Sequence, residues 1–101
     1  MNGVQVVRQA GETQLVFEPV LDISGARHLY GQLDNVLAGA TALVLDASRV
    51  QRIDTAALQL LAAFCRTTRD AGLPLHWRAA SPALREAAGL LGLDESLGRP
   101  K

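Results

Sequence analysis

At 101 residues, 49% of them hydrophobic, the chain is sized for one domain built around one core. Ten basic and ten acidic side chains cancel to a net charge of zero. That balance gives no basic footprint for a nucleic-acid partner and no charge excess of the kind that keeps chains unfolded. Cys65 is the sole cysteine, so the chain has neither an internal disulfide nor a cysteine zinc cage. Residues 1–10 lack the basic start and apolar run of a signal peptide. The longest apolar stretch, 56–65, is broken by Gln59 and covers about half of the ~20 residues a membrane helix needs. The expectation is a single cytoplasmic domain over residues 1–101, without direct membrane insertion.

In chain order, Val4, Val6 and the run Leu15-Val16-Phe17 flank a turn signal at Gly11-Glu12 and predict an opening hairpin. Pro19 ends the second run, because proline brings no ladder donor. Behind Asp22, Ser24 is a capping candidate for a helix with apolar residues at 26, 29, 30, 33, 36 and 37, closed by Gly39. Ala42 to Leu45 is an unbroken apolar run, as in a central strand. Residues 46–53 read as a loop. Asp54 is then the cap of a long helix from Thr55 to about Ala71, with Gly72 as its stop. Pro74 to Arg78 alternates as a strand, with Leu75 and Trp77 on one face. Ser81-Pro82 opens a last helix with the stripe Leu84, Ala87, Ala88 and Leu91, ended by Gly92. Residues 94–101 are expected to fray. The order β-β-α-β-α-β-α calls for an α/β fold, a mixed sheet with helices packed on it.

Chemical motifs are scarce. There is no Gly-rich phosphate loop, no Walker lysine, no zinc-protease pair and no nucleophile elbow. His28 and His76 fall in different elements with no companion ligand, and Cys65 sits on the inner row of the long helix, where core packing is the simple reading. Arg66 and Arg69 suit the dipole in the second half of that helix. Catalytic residues, metal ligands and cofactors are therefore not expected, and the reading is non-enzymatic.

The informative stretch is Leu43 to Leu58, where a buried strand, a polar loop and a helix start follow one another. With Asp54 as the cap, Thr55 projects at the rim beside the unpaired N–H groups of the first turn. A helix start favours negative charge. A phosphate on Thr55 would place about −1.5 to −2 charges there, within approach of Arg49 and Arg52 and against Asp54. Asp46 is placed to order the loop through its own backbone. The plainer alternative is that Asp54-Thr55 is an ordinary helix start, worth ~1 kcal/mol whatever the function.

The sequence Asp54-Thr55-Ala56-Ala57-Leu58 with Leu60-Leu61, inside an element order and length of this kind, resembles the STAS domain family over Val4 to about Leu93. Pro19-Val20-Leu21-Asp22 falls where that family often has a Gly-x-Leu-Asp turn. The resemblance implies a regulatory protein whose switch motif is Asp-Ser/Thr-Ser/Thr/Ala-Gly-Leu, with the phosphorylated residue after the aspartate, which is Thr55 here. Two departures stand out. Ala56 replaces a second hydroxyl, and Ala57 replaces the usual glycine, which would tighten the surface against a close-packed partner. The stretch Ser48-Arg49-Val50 through Arg52-Ile53-Asp54-Thr55 resembles the MlaB-like branch more than the anti-sigma antagonists. The partner-binding residues implied are Asp22, Ser48, Arg49, Arg52, Asp54, Thr55, Ala56 and Ala57. The leading expectation is partner switching with an anti-sigma or kinase-type ATPase that phosphorylates Thr55. The alternatives are an MlaB-like subunit of a phospholipid-transport ABC-transporter ATPase, and a small-ligand or anion-binding domain at the same helix end.

Overall fold

The computed structural model describes residues 4–98. β1 (Val4–Gln9) and β2 (Glu12–Phe17) form an antiparallel hairpin in the register Val4↔Phe17 to Gln9↔Glu12. Its two turn residues, Ala10 and Gly11, both have positive φ, 48° and 82°, as the twist of a two-residue hairpin requires. After the short β3 (Val20–Leu21) come α1 (Ile23–Gly31) and α2 (Leu33–Leu37). The chain returns as β4 (Ala42–Ala47), then β5 (Arg52–Ile53), α3 (Thr55–Asp70), β6 (Leu75–Ala80), α4 (Pro82–Leu91) and α5 (Asp94–Leu97). The main sheet has the order β1-β2-β4-β6, and β2, β4 and β6 run parallel. β3 and β5 pair parallel as a separate two-stranded sheet.

Alternation along the strands decides where the core sits. Val4, Leu15, Phe17, Leu43, Leu45 and Ala47 point to one face and join Ala26 and Leu29 of α1, Leu58, Leu61 and Phe64 of α3, Leu84 of α4 and Leu97 of α5. Val7, Val16 and Val44 point the other way and stay outside that core. α1 crosses α3, with Tyr30 meeting Phe64 edge-on at 6.5 Å between ring centres and its hydroxyl 3.3 Å from Thr67 Oγ1.

Three sequence expectations are corrected. Asp22, not Ser24, caps α1: its Oδ1 accepts from Gly25 N at 2.9 Å. The expected first helix is two helices, because at Gln32 the backbone tightens and its N–H donates to both His28 O and Leu29 O at 3.1 Å. The expected fraying from Asp94 is absent over Asp94–Gly98, while residues 99–101 lie outside the described residues. Leu97 is fully buried, Trp77 Nε1 donates to its carbonyl at 2.6 Å, and Arg69 and Arg66 donate to Glu95 O and Ser96 Oγ at 3.1 and 3.0 Å. A four-residue helix is too short for a periodic signal, so its contacts with Trp77, Arg66 and Arg69 are what reveal it.

Gly89 and Gly11 make opposite demands. A Cβ on Gly89, inside α4, would meet nothing within 4 Å, whereas one on Gly11 would lie 3.2 Å from Thr41 Oγ1 at a φ of +82°. Urea unfolding should show Gly89→Ala stabilising by about 0.5–1 kcal/mol and Gly11→Ala destabilising by about 1 kcal/mol or more. Equal effects would contradict this assignment of roles.

Candidate functional site

The parallel strands β2, β4 and β6 all end at one edge of the sheet, and the segments leaving them start α1, α3 and α4. In sheets of this kind the carboxyl ends of the strands are where binding surfaces form. The small sheet draws two of these starts together. Pro19 O accepts from Gln51 N at 2.8 Å and Arg52 N at 3.0 Å, and Leu21 O accepts from Asp54 N at 3.3 Å. With Val20 opposite Arg52 and Leu21 opposite Ile53, the next residues in each strand direction are Asp22 and Asp54, the two helix caps. The third start is tied in by Ser81 N, which donates to Ala47 O at 3.0 Å.

The loop before α3 is ordered locally. Asp46 Oδ1 accepts from Ser48 N at 3.0 Å and from Ser48 Oγ at 2.7 Å, while Val50 is buried beneath the turn. Burial pushes the Asp46 carboxyl up, but the two Ser48 bonds and the charges of Arg78 and Arg49 outweigh it and hold it below the usual aspartate value. The carboxylate stays ionised and the turn stays closed.

On this framework Asp22, Ser48, Arg49, Arg52, Asp54, Thr55 and Ala56 are all exposed. Thr55 is the first residue of α3, and the side chain of its cap, Asp54, makes no capping hydrogen bond. This differs from Asp22 in α1 and Ser81 in α4, whose side chains accept from Gly25 N and Leu84 N. Ala57 departs from the sequence expectation: it is fully buried, because the helical turn that leaves Thr55 and Ala56 outside carries the next two residues into the core. Its methyl group packs inward. The sequence reading also passed over Val20, a large apolar residue 52% exposed beside Arg52. A Val-Leu pair does not reveal which of its members turns out, and the two-residue β5 that decides it is too short for periodicity.

Elsewhere the chemistry is quiet. Burial pushes the Cys65 thiol up to about 12 against the opposing charges of Arg69 and Arg66, and a thiol held protonated is a poor nucleophile. His28 and His76 are exposed on different elements. Among the described residues no group of three or more His, Cys, Asp or Glu is arranged to hold a metal, and no helix is long and apolar enough to cross a membrane.

The model of the family described as Mlab, STAS domain matches residues 4–99. The chain belongs to the STAS family. Solved STAS-like structures share its architecture. An anti-sigma factor antagonist from Mycobacterium paratuberculosis is 26% identical, with a TM-score of 0.69 over 92% of this chain and 80% of that one. A sulfate transporter family protein from Wolinella succinogenes is 25% identical, with a TM-score of 0.75 over 91% of this chain and 75% of that one. The unphosphorylated form of the anti-sigma factor antagonist SpoIIAA has the same fold at 13% identity, with a TM-score of 0.72 over 91% of this chain and 83% of that one. The chain also matches Mglu at 25% identity and a TM-score of 0.70, over 79% of its own length but only 20% of the Mglu chain. No curated protein matches the sequence.

The caps of this STAS domain should differ in their worth to stability. Chemical denaturation should show Asp22→Ala and Ser81→Ala each costing about 1 kcal/mol. Asp54→Ala should cost no more than about 0.5 kcal/mol, the charge–dipole share alone. A loss at Asp54 as large as at the other two would mean that its carboxylate caps the helix after all.

Proposed function

We propose that the protein is a non-enzymatic regulatory STAS subunit, working in the cytoplasm, that binds an ATPase partner through the rim where α1 and α3 begin. The observation that carries this reading is Thr55: an exposed residue at the first position of α3, next to an acidic cap whose side chain makes no capping hydrogen bond. An aspartate that adds little to the helix is available to a partner instead. Asp22, Ser48, Arg49, Arg52, Asp54, Thr55 and Ala56 form the contact surface in this reading, and Ala57 supports it from beneath. The match to an MlaB family model favours an ABC-transporter ATPase as the partner. Thr55 is then a hydrogen-bonding and packing residue at the interface.

A second reading is favoured by the likeness to anti-sigma factor antagonists. In it a kinase-type ATPase transfers a phosphate to Thr55. Its charge of about −1.5 to −2 would be met partly by the helix start and opposed by Asp54. A surface that had matched the partner would then repel it without the core unfolding. The third possibility raised by the sequence is a small-ligand or anion site at this helix end, where the first-turn N–H groups of α3 would meet negative charge.

Both readings make the same first demand. Thr55→Glu should weaken the complex with the ATPase that co-purifies from the native cells by about tenfold or more, equivalent to about 1.4 kcal/mol, while leaving the melting temperature nearly unchanged. An affinity indifferent to Thr55→Glu would overturn the rim as the docking surface. Intact mass then separates the readings: a chain carrying one added phosphate in cells supports switching, and a tight complex with only unmodified chain supports the transporter subunit.

A further inference from the structure

At the far side of the sheet from the β6 edge lies a second feature that the rim does not involve. β1 pairs only with β2 among the described residues, so one side of it is an open strand edge. The pair Gln9↔Glu12 closes the two-residue turn and in such a hairpin exchanges both backbone bonds. Pairs alternate from there, so Gln5, Val7 and Gln9 bond inward to β2. Val4, Val6 and Arg8 direct their N–H and C=O groups outward. These same three residues send their side chains to the helix-covered face, opposite Phe17, Leu15 and Thr13.

Between β1 and the helices α1 and α2 is a hollow of about 180 Å³ with an apolar floor of Val6, Leu29 and Val36. An enclosed apolar space of roughly 150 Å³ takes up benzene, so this one has room for a leucine- or phenylalanine-sized side chain. Arg8 is the one permanently charged residue in the lining, which includes no carboxylate. Its guanidinium donates to Ala38 O at 3.1 Å and to Asn35 O, holding the carboxyl end of α2. Of its five N–H donors, three remain for an incoming acid.

We propose that the β1 edge is a docking site for an extended segment of another protein, one carrying an apolar residue and an acidic residue two positions apart. A strand added to β1 places the residues opposite Val6 and Arg8 on the same face as those side chains. The residue opposite Val6 fills the hollow, the acid opposite Arg8 meets the free guanidinium donors, and the outward backbone groups of β1 supply the strand bonds. A second copy of this chain fits poorly. Two β1 strands paired edge to edge would bring Val4, Val6 and Arg8 against one another, with no acid to meet either arginine.

Two synthetic peptides test this on the isotope-labelled full chain by NMR titration: Thr-Glu-Thr-Leu-Thr-Val-Thr for antiparallel addition and Thr-Val-Thr-Leu-Thr-Glu-Thr for parallel addition, both with blocked ends. The expected result is saturable, submillimolar binding of one of them, with shifts confined to β1 and to the residues lining the hollow. Replacing the peptide's glutamate by glutamine should weaken that binding about tenfold, and methylating the leucine backbone nitrogen of the antiparallel peptide should abolish its binding. The proposal is overturned if neither peptide gives saturable shifts, if the glutamine peptide binds equally well, or if the shifts fall on the α3 start. Sedimentation showing that the chain pairs with itself through β1 would also overturn it.

Discussion

One backbone carbonyl does more to shape the rim of the candidate site than any side chain. Pro19 O takes hydrogen bonds from two successive amides, Gln51 and Arg52, and so fastens the segment before α1 to the segment before α3. Neither segment has enough regular structure to hold itself: β3 and β5 are two residues each. Pairing them brings the Asp22 and Asp54 caps side by side and gives the polar stretch from Ser48 a fixed exit. Proline suits this position physically. It has no amide of its own to satisfy, and its carbonyl remains free to accept twice.

A division of labour follows among the helix starts. Asp22 and Ser81 turn their side chains back onto the helices they cap, while Asp54 leaves its helix without a side-chain bond. Beneath it, Ala57 and Leu58 are sealed in the core and keep α3 in place. The helix is thus anchored from its third residue inward and presents its first two residues, Thr55 and Ala56, to the surroundings. A rim of that kind can gain or lose charge at Thr55 without disturbing the packing below, which both regulatory readings require.

Much of this was legible in the amino acids because local chemistry and tertiary structure agree. The Ser81-Pro82 start, the Gly92 stop, the Gly11 turn and the run Ala42 to Leu45 each carry a physical signal that the fold obeys. The signal fails where a decision is made by distant contacts. The small β3–β5 sheet cannot be read from two-residue strands, so residues 46–53 look like a plain loop and Val20 looks no more exposed than Leu21. The break at Gln32 hides inside one continuous apolar stripe. α5 emerges only because Trp77, Arg66 and Arg69 reach it from other elements. At the candidate site, the exposed residues were readable from the helix start, whereas the inward turn of Ala57 needed the phase of α3 against the sheet.

Native-state amide hydrogen exchange, read residue by residue by NMR, tests the central claim most directly. A rim fastened by the Pro19 carbonyl predicts that the Gln51, Arg52 and Asp54 amides exchange slowly, opening only with larger unfolding of the domain, while the Thr55 and Ala56 amides exchange fast. Gln51 and Arg52 exchanging as quickly as Thr55 would mean that the two segments are not held together and that the rim is not a preformed surface.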